Sequence, residues 1–145
     1  MPTPRAYFDT SVLLKRYFHE PASDQARSFA KRYRIVSSAI ALVETFSALS
    51  GRRVSGVLTD RAFAAIVRKI QDDRLQWDLV GVSPSVVDRA EELVVKTLLR
   101  TLDALHVASA LTFQATTGMR IPFITADERQ REAAGLLGFT VLWVG

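Results

Sequence analysis

Apolar residues in this chain follow two alternating patterns: short continuous runs, and longer stretches in which they recur every three or four positions. The short runs predict strands at residues 5–8, 35–36, 76–82, 121–125 and 139–144. The periodic stretches predict helices at residues 12–18, 22–33, 39–49, 59–71, 84–97, from 101 onward and at 128–137. Because strands and helices alternate, we expect an α/β fold with a mainly parallel sheet of four or five strands and helices on both faces.

Local signals mark several of the helix boundaries. Ser83 followed by Pro84 is a strong start signal, and Thr101 is a candidate cap for the next helix. The segment 39–49 is apolar nearly all round, which predicts a buried helix. A polar link is predicted to follow this helix from Gly51.

Four acidic residues stand nearly alone inside these apolar segments. They are Asp9, Glu44, Asp103 and Asp127. Glu44 is the only charged residue between Arg34 and Arg52, and no lysine or arginine lies at helical spacing beside it. An ionised group buried without a partner costs at least several kcal/mol, so we expect these carboxylates to be paired, protonated or bound to a metal.

The order of the elements places these acids near one another. Asp9 and Asp127 directly follow predicted strands, and parallel sheets bind ligands at the carboxyl ends of their strands. Asp103 opens a predicted helix, and Glu44 lies inside one packed nearby, so all four can converge at one sheet edge. Two carboxylates about 4 Å apart repel by about 4 kcal/mol, which demands divalent cations or raised pKa values. Since the chain has no cysteine, oxygen ligands remain, and these favour Mg²⁺ or Mn²⁺.

Each acid also has a purely structural explanation when it is considered alone. Asp9, Asp103 and Asp127 are all placed to act as ordinary helix caps. Glu44 fits that explanation poorly, because capping gives no benefit in the middle of a helix. Neighbouring polar groups are candidates for a supporting role that orients ligands: Thr10, Ser11, Thr125 and His106. For His106, a buried hydrogen-bonding role is an equally simple reading.

Composition narrows the class of protein further. The chain has 145 residues, of which 48% are hydrophobic, so we expect a single compact domain covering residues 1–145. It has no apolar run of about 18 residues and no signal-peptide pattern, so we expect a cytoplasmic protein without membrane association. The formal net charge of +4 favours a polyanionic partner, with Arg52 and Arg100 as candidate phosphate contacts.

Four segments of the sequence resemble the acidic motifs of PIN-domain proteins, especially VapC-type toxins. These segments read DTSVLLKRYFHEP, SSAIALVETFSAL, RTLDALHVASAL and FITADERQREAA, and their order, spacing and flanking residues agree with the family. The resemblance implies a PIN-like three-layer α/β/α sandwich. It also implies an endoribonuclease that depends on Mg²⁺ or Mn²⁺ held by Asp9, Glu44, Asp103 and Asp127, and that leaves a 5′-phosphate and a 3′-hydroxyl. The fourth acidic position is the most variable in the family, so Asp127 is expected to assist rather than anchor a metal.

The same resemblance implies a toxin–antitoxin context. Relatives are typically homodimers that a cognate antitoxin protein holds in check. The helix at 59–71 and the 39–49 region are candidate surfaces for self-association or antitoxin docking, although their apolar stripes also suit the core.

Other functions remain open on the sequence alone. A metal-free ribonuclease would use His19 and His106 as base and acid, but it gives Glu44 no purpose. A phosphoacceptor signalling domain would use Asp9, but it needs a late lysine, and the last lysine here is Lys96. A PIN nuclease that processes RNA outside any toxin system is a third alternative, and a non-cleaving RNA-binding scaffold is a fourth.

Overall fold

The computed structural model describes residues 2–145. Its strands are β1 (Arg5–Phe8), β2 (Arg34–Ser38), β3 (Asp78–Val80), β4 (Phe123–Thr125) and β5 (Val141–Trp143). Its helices are α1 (Thr10–Tyr17), α2 (Ser23–Arg32), α3 (Ile40–Val54), α4 (Asp60–Asp73), α5 (Pro84–Lys96), α6 (Thr101–Thr117) and α7 (Glu128–Leu136). A single 3₁₀ turn, Arg74–Gln76, joins α4 to β3.

The five strands form one parallel sheet in the order β3-β2-β1-β4-β5. The prediction of a mainly parallel sheet is therefore confirmed. Strand order reverses at β1, since β2 and β3 lie on one side of it and β4 and β5 on the other. Tyr7 in β1 is opposite Phe123 in β4, so both strands end at the same edge of the sheet. In open parallel sheets, the crevice at such a reversal is where ligands bind.

Alternation along β1 separates two hydrophobic layers. Tyr7 faces α5, α6 and α7, whereas Ala6 and Phe8 face α1 and α2. Tyr7 also stacks on Phe123 with ring centroids 5.0 Å apart. A third cluster joins α1, α3 and α4 around Leu49 and its neighbours. Helices thus cover both faces of the sheet, which is the expected three-layer α/β/α arrangement.

Helix α3 differs from its prediction in both length and burial. It continues through Gly51 to Val54 and ends before Gly56, whose φ is +82°. The continuation gains partners that compensate for the helix-weakening glycine: the Arg53 guanidinium lies 4.3 Å from the centre of the Phe63 ring in α4. The helix is also not buried all round, because Val43 is 70% exposed.

Other boundaries are also shifted from the sequence expectation, among them those of β3 and α6. Strand β3 is shorter than predicted, because Gln76 belongs to the 3₁₀ turn and only Asp78–Val80 pair with β2. Thr101 is the first residue of α6 rather than its cap. Between Pro2 and Gly145, no helix is both long and apolar enough to cross a membrane.

Candidate active site

Asp9 follows β1 directly and caps α1. Its Oδ1 accepts hydrogen bonds from the Val12 N–H, at 3.2 Å, and from the Ser11 hydroxyl. Its Oδ2 accepts a hydrogen bond from the Thr125 hydroxyl at the end of β4. Asp9 is 1% exposed, and burial raises its pKa, although the charge of His106 and the three hydrogen bonds oppose that rise. An ionised Asp9 is therefore costly unless a cation lies close to it.

Asp127 follows β4 and caps α7. Its Oδ1 accepts from the Arg129 N–H at 2.9 Å and the Gln130 N–H at 3.1 Å. The Thr125 hydroxyl accepts a hydrogen bond from the Asp127 N–H at 2.9 Å while it donates to Asp9. Thr125 thus connects the two acids across neighbouring strand ends.

Asp103 lies in the first turn of α6, as the sequence predicted. Its Oδ1 accepts a hydrogen bond of 2.9 Å from the side-chain amide of Gln130 in α7. The same glutamine donates its backbone N–H to Asp127. Gln130 therefore joins Asp103 to the Asp127 cap.

Glu44 projects from α3 toward the start of α1 and toward α6. Its Oε1 lies 2.7 Å from the Thr10 hydroxyl and 2.7 Å from His106 Nε2. Burial alone raises the pKa of Glu44, but the hydrogen bond and charge of His106, with the Thr10 bond, lower it overall. Glu44 is therefore held as an acceptor of these two groups.

Tyr7 fixes the imidazole of His106 from the opposite side. The Tyr7 hydroxyl lies 2.7 Å from His106 Nδ1, and both side chains are almost completely buried. Burial and the nearby Asp9 charge raise the pKa of Tyr7 well above its ordinary value, so the phenol keeps its proton and is the donor to Nδ1 of a neutral imidazole. When His106 is neutral, this bond selects the tautomer in which Nε2 carries the proton that Glu44 accepts.

The four predicted acids thus belong to two hydrogen-bonded arcs at the carboxyl edge of the sheet, which the chain itself joins into one ring. One arc of the ring runs through Asp9, Thr125, Asp127, Gln130 and Asp103; the other runs through Thr10, Glu44 and His106. Thr10 is adjacent to Asp9 in the chain, and His106 lies one helical turn after Asp103, which closes the ring. All eight site residues that the sequence indicated are placed in this region, with Ser11 bonded to Asp9.

Within residues 2–145, no lysine or arginine neutralises these acids. Among the described residues, neither lysine nor arginine forms an ion pair with any of the four carboxylates. Three oxygens, Asp103 Oδ2, Asp127 Oδ2 and Glu44 Oε2, accept no hydrogen bond from residues 2–145.

The side chains of this site fit a hard cation that keeps several of its water ligands, rather than one held by protein ligands alone. As the side chains stand in residues 2–145, no three histidines or acids converge closely enough to hold a metal ion between them. Mg²⁺ does not require such a cluster, because it keeps several waters and is commonly held by one or two carboxylates. The free oxygens and the buried, unpartnered Gln130 Oε1 are acceptors suited to that hydration shell.

Two residues of the site escaped sequence reasoning. Gln130 lies within the charged stretch ERQRE, which is typical of a solvated helix, and no signal in a single sequence indicates its burial. Tyr7 lies in a predicted strand, but its hydroxyl has no role predicted from the sequence. A tyrosine on a buried strand needs a polar partner, and that requirement was the available signal.

The basic residues proposed as phosphate contacts have different surroundings. Arg52 forms an ion pair with Glu20 at 2.5 Å and lies 3.5 Å from the centre of the Phe18 ring. Arg100 is exposed and immediately precedes α6, three residues before Asp103. A cavity of about 480 Å³ lies at the opposite edge of the sheet, where it is lined by Arg5, Arg34 and others. None of the four acids lines this cavity, so the chemistry is assigned from the side chains of the acidic ring rather than from cavity size.

Comparisons with solved structures identify the fold. The chain is similar to a toxin–antitoxin complex from Klebsiella pneumoniae, with 18% identity, a TM-score of 0.67 and coverage of 97% of this chain and 98% of that chain. It is similar to FitAcB from Neisseria gonorrhoeae, with 13% identity, a TM-score of 0.70 and coverage of 94% and 96%. It is also similar to VapC20 from Mycobacterium tuberculosis, a toxin that cleaves the sarcin–ricin loop, with 18% identity, a TM-score of 0.65 and coverage of 93% and 96%.

Comparison of sequences gives the family. No curated protein matches the chain. The family model of the PIN domain matches residues 6–136, a span that contains all four acids and every other residue of the hydrogen-bonded ring. The chain therefore belongs to the PIN domain family.

Proposed function

We propose that this protein is a metal-dependent endoribonuclease and the toxin of a VapBC-type toxin–antitoxin pair. The observation that carries the proposal is the hydrogen-bonded ring, which joins Asp9, Glu44, Asp103 and Asp127 at the reversal point of a parallel sheet. Family membership and the similar toxin structures support the same conclusion. We further propose that residues 1–145 form a single nuclease domain that acts in the cytoplasm.

The proposed roles follow from how each acid is held. Asp9, Glu44 and Asp103 would hold Mg²⁺ or Mn²⁺, and Asp127 would assist. When bound, the cation would lower the pKa of an attacking water and stabilise negative charge on the phosphate. Thr10, Ser11 and Thr125 each donate a hydrogen bond to a carboxylate, which fixes the direction of the oxygens that face the substrate.

The reaction itself is hydrolysis of an RNA phosphodiester. Water attacks the phosphorus in line, the bond to the 3′-oxygen breaks, and the products carry a 5′-phosphate and a 3′-hydroxyl. The four acids repel the polyanion until they are neutralised, whereas the chain as a whole carries a net charge of +4 and attracts it. Exposed Arg100, close in sequence to Asp103, is suited to contact the RNA backbone.

Two rival chemistries fit this geometry less well. A metal-free ribonuclease needs His106 to exchange protons with substrate, but its two ring nitrogens are engaged by Tyr7 and Glu44 in the interior. A phosphoacceptor domain needs a lysine near the final strands, but the last lysine of the sequence is Lys96, and this chemistry gives Glu44 no role.

The proposed partners are an antitoxin protein and a second copy of this chain. The similar structures include a toxin–antitoxin complex from Klebsiella pneumoniae and VapBC-5 from Mycobacterium tuberculosis. An antitoxin segment that covers the acidic ring would need to bring a positively charged side chain. Residues 2–145 of this chain pair no lysine or arginine with those carboxylates. An arginine on the antitoxin meets that requirement.

The test is cleavage of a mixed RNA pool by purified protein, with mapping of the new 5′ ends. Cleavage is expected with Mn²⁺ or Mg²⁺ and is expected to stop in EDTA. Asp9→Asn and Asp103→Asn should each lower the rate by about 10²–10³-fold, the typical cost of removing one group that stabilises the transition state. The matched control is Asp88→Asn, which changes an exposed acid on α5 and should leave the rate unchanged.

The stability of the Asp9 variant provides a second readout. Because burial raises the pKa of Asp9, its charge destabilises the cation-free fold at neutral pH. Asp9→Asn should therefore raise the melting temperature without metal, while abolishing most of the increase that Mn²⁺ gives to the wild type. Metal-dependent cleavage that persists in both the Asp9 and Asp103 variants would refute the proposal.

A further inference from the structure

Gln130 has an unusual environment for a residue in a charged stretch of sequence. It is 3% exposed and lies in the first turn of α7. Its Nε2 donates a hydrogen bond of 2.9 Å to Asp103 Oδ1. Its Oε1 is buried and finds no donor in residues 2–145. A buried amide oxygen without a donor is costly, so its presence calls for a physical explanation.

The orientation of this amide follows from the charge of Asp103. The opposite orientation would place the amide oxygen against a carboxylate oxygen, where neither group supplies a proton. Nε2 therefore faces Asp103, and Oε1, on the same carbon, is left beside the acid without a donor. Residues 2–145 do not supply the missing donor.

We propose that Gln130 is a positioning residue that completes the cation site. By donating to Asp103 Oδ1, the amide leaves Oδ2 as the oxygen that Asp103 presents to a cation. The free Oε1 accepts a hydrogen bond from a water in the cation's hydration shell, which supplies the missing donor. Gln130 would then act on Asp103, on Asp127 through its backbone N–H, and on the cation's water.

This inference rests on the proposed function, because it assumes that the acidic ring binds a divalent cation. The alternative is a purely structural amide that ties α7 to α6. The two readings differ in one measurable respect. A structural amide contributes to stability and not to metal affinity, whereas a positioning amide contributes to metal affinity and leaves an orphaned acceptor in the absence of metal.

The experiment compares Gln130→Met with wild type by calorimetric titration of Mn²⁺ into the full chain, and by thermal unfolding with and without Mn²⁺. Methionine has a similar shape and cannot replace either hydrogen bond. We expect the dissociation constant for Mn²⁺ to rise about 10-fold or more, the usual effect of losing a group that orients a metal ligand. The melting temperature without metal should stay the same or rise, because the orphaned acceptor is gone.

Gln114→Met is the matched control. Gln114 is half-buried in α6, and its Oε1 accepts the Ile121 N–H at 3.0 Å, away from the four acids. This variant should lose thermal stability and keep the wild-type affinity for Mn²⁺. Gln130→Leu is measured in parallel, so that the result does not depend on the folding of one variant.

The outcomes separate this inference from the proposed function. If the wild type binds Mn²⁺ no better than Asp9→Asn does, the proposed function fails first. If Asp9→Asn loses binding while Gln130→Met and Gln130→Leu keep the wild-type affinity, the proposed function survives and the role of Gln130 is overturned. Loss of stability with unchanged affinity in the Gln130 variants would identify a structural amide.

Discussion

The orientation of three carboxylates at this site, Asp9, Asp103 and Glu44, is fixed by hydrogen-bond donors on neighbouring side chains. Thr125 and Ser11 donate to Asp9, Gln130 donates to Asp103, and His106 donates to Glu44. A carboxylate held in this way loses rotational freedom before a ligand arrives, which is the role of groups that orient metal ligands. We therefore expect the donors to affect metal binding, although none of them is itself an acidic ligand.

Tyr7 gives the sharpest residue-scale prediction. Tyr7→Phe keeps the ring that stacks on Phe123 and removes the hydroxyl that fixes His106. His106 Nδ1 then lacks its donor in the interior, and the Nε2–H tautomer that holds Glu44 is no longer selected. We expect a loss of about 1–3 kcal/mol in the free energy of unfolding, because a buried acceptor is left unsatisfied. RNA cleavage should fall by about 10-fold, at the low end of the 10–100-fold effects of mutating groups that orient metal ligands.

The control for Tyr7 is Tyr17→Phe. The Tyr17 hydroxyl donates to Asp73 at 2.7 Å, so this variant also loses a tyrosine–protein hydrogen bond, but outside the acidic ring. It should be destabilised with cleavage unchanged. The tautomer of His106 can be read directly from its ¹⁵N shifts. A wild-type protein with the proton on Nδ1 would contradict the proposed hydrogen-bond direction.

At the scale of elements, the sequence was most informative where a local signal decides the structure. The Ser83 hydroxyl accepts a hydrogen bond from the Val86 N–H and caps α5, as the Ser83–Pro84 start signal predicted. Thr59, where the next helix upstream was predicted to begin, accepts from the Ala62 N–H and caps α4. The order of strands and helices followed from periodicity. Because Asp9 and Asp127 come directly after strands, their placement at one sheet edge could also be predicted.

Elements decided by tertiary contacts were not predictable in the same way. Gly51 signals the end of a helix locally, but α3 continues because Arg52 and Arg53 find aromatic partners on other elements. Gln130 is buried only because α7 packs against α6 beside Asp103. These contacts join residues far apart in the chain, and a single sequence carries no signal for them.

At the same scale, ion pairs at the amino-terminal ends of the strands predict how the stability of the fold depends on pH. Asp78 at the start of β3 accepts from Arg5 in β1 at 2.7 Å and from Arg34 in β2 at 3.0 Å. Burial raises the pKa of Asp78, but the hydrogen bonds and charges of the two arginines outweigh it and lower the pKa overall. A lowered folded-state pKa contributes stability above the unfolded pKa of about 3.9, and that stability is lost as pH falls through the folded value.

The variant Asp78→Asn isolates this contribution. It should lower the free energy of unfolding by about 1 kcal/mol or less at pH 7, because the pair is partly exposed and screened. The difference from wild type should be constant between pH 7 and 5, and should shrink below about pH 4. Urea unfolding at pH 7, 5 and 3.5 measures it. A difference that instead grows toward acid would show that Asp78 is not held in its charged form.

At the scale of the whole molecule, the distribution of charge assigns attraction of the substrate to basic residues and the chemistry to the four acids. The chain is basic overall, with a sequence pI of about 9.8, yet the carboxyl edge of its sheet concentrates four acids. The proposed RNA substrate would therefore be attracted by cations around the ring. Arg52 was a candidate on sequence grounds, but its guanidinium is already bonded to Glu20 and stacked on Phe18. Arg100 is exposed and remains available.

Comparing Arg100→Ala with Arg52→Ala tests whether Arg100 contacts RNA while Arg52 has a structural role. Each variant removes one positive charge, so net charge alone cannot produce a difference between them. We expect Arg100→Ala to weaken RNA binding and to reduce the slope of log K against log salt by about 1, the effect of losing one phosphate contact. Arg52→Ala should instead lower thermal stability and leave the salt slope unchanged. Binding is measured in the Asp9→Asn background, so that RNA stays intact. Equal salt slopes in the two variants would mean that only net charge matters, and Arg100 would then have no direct contact with phosphate.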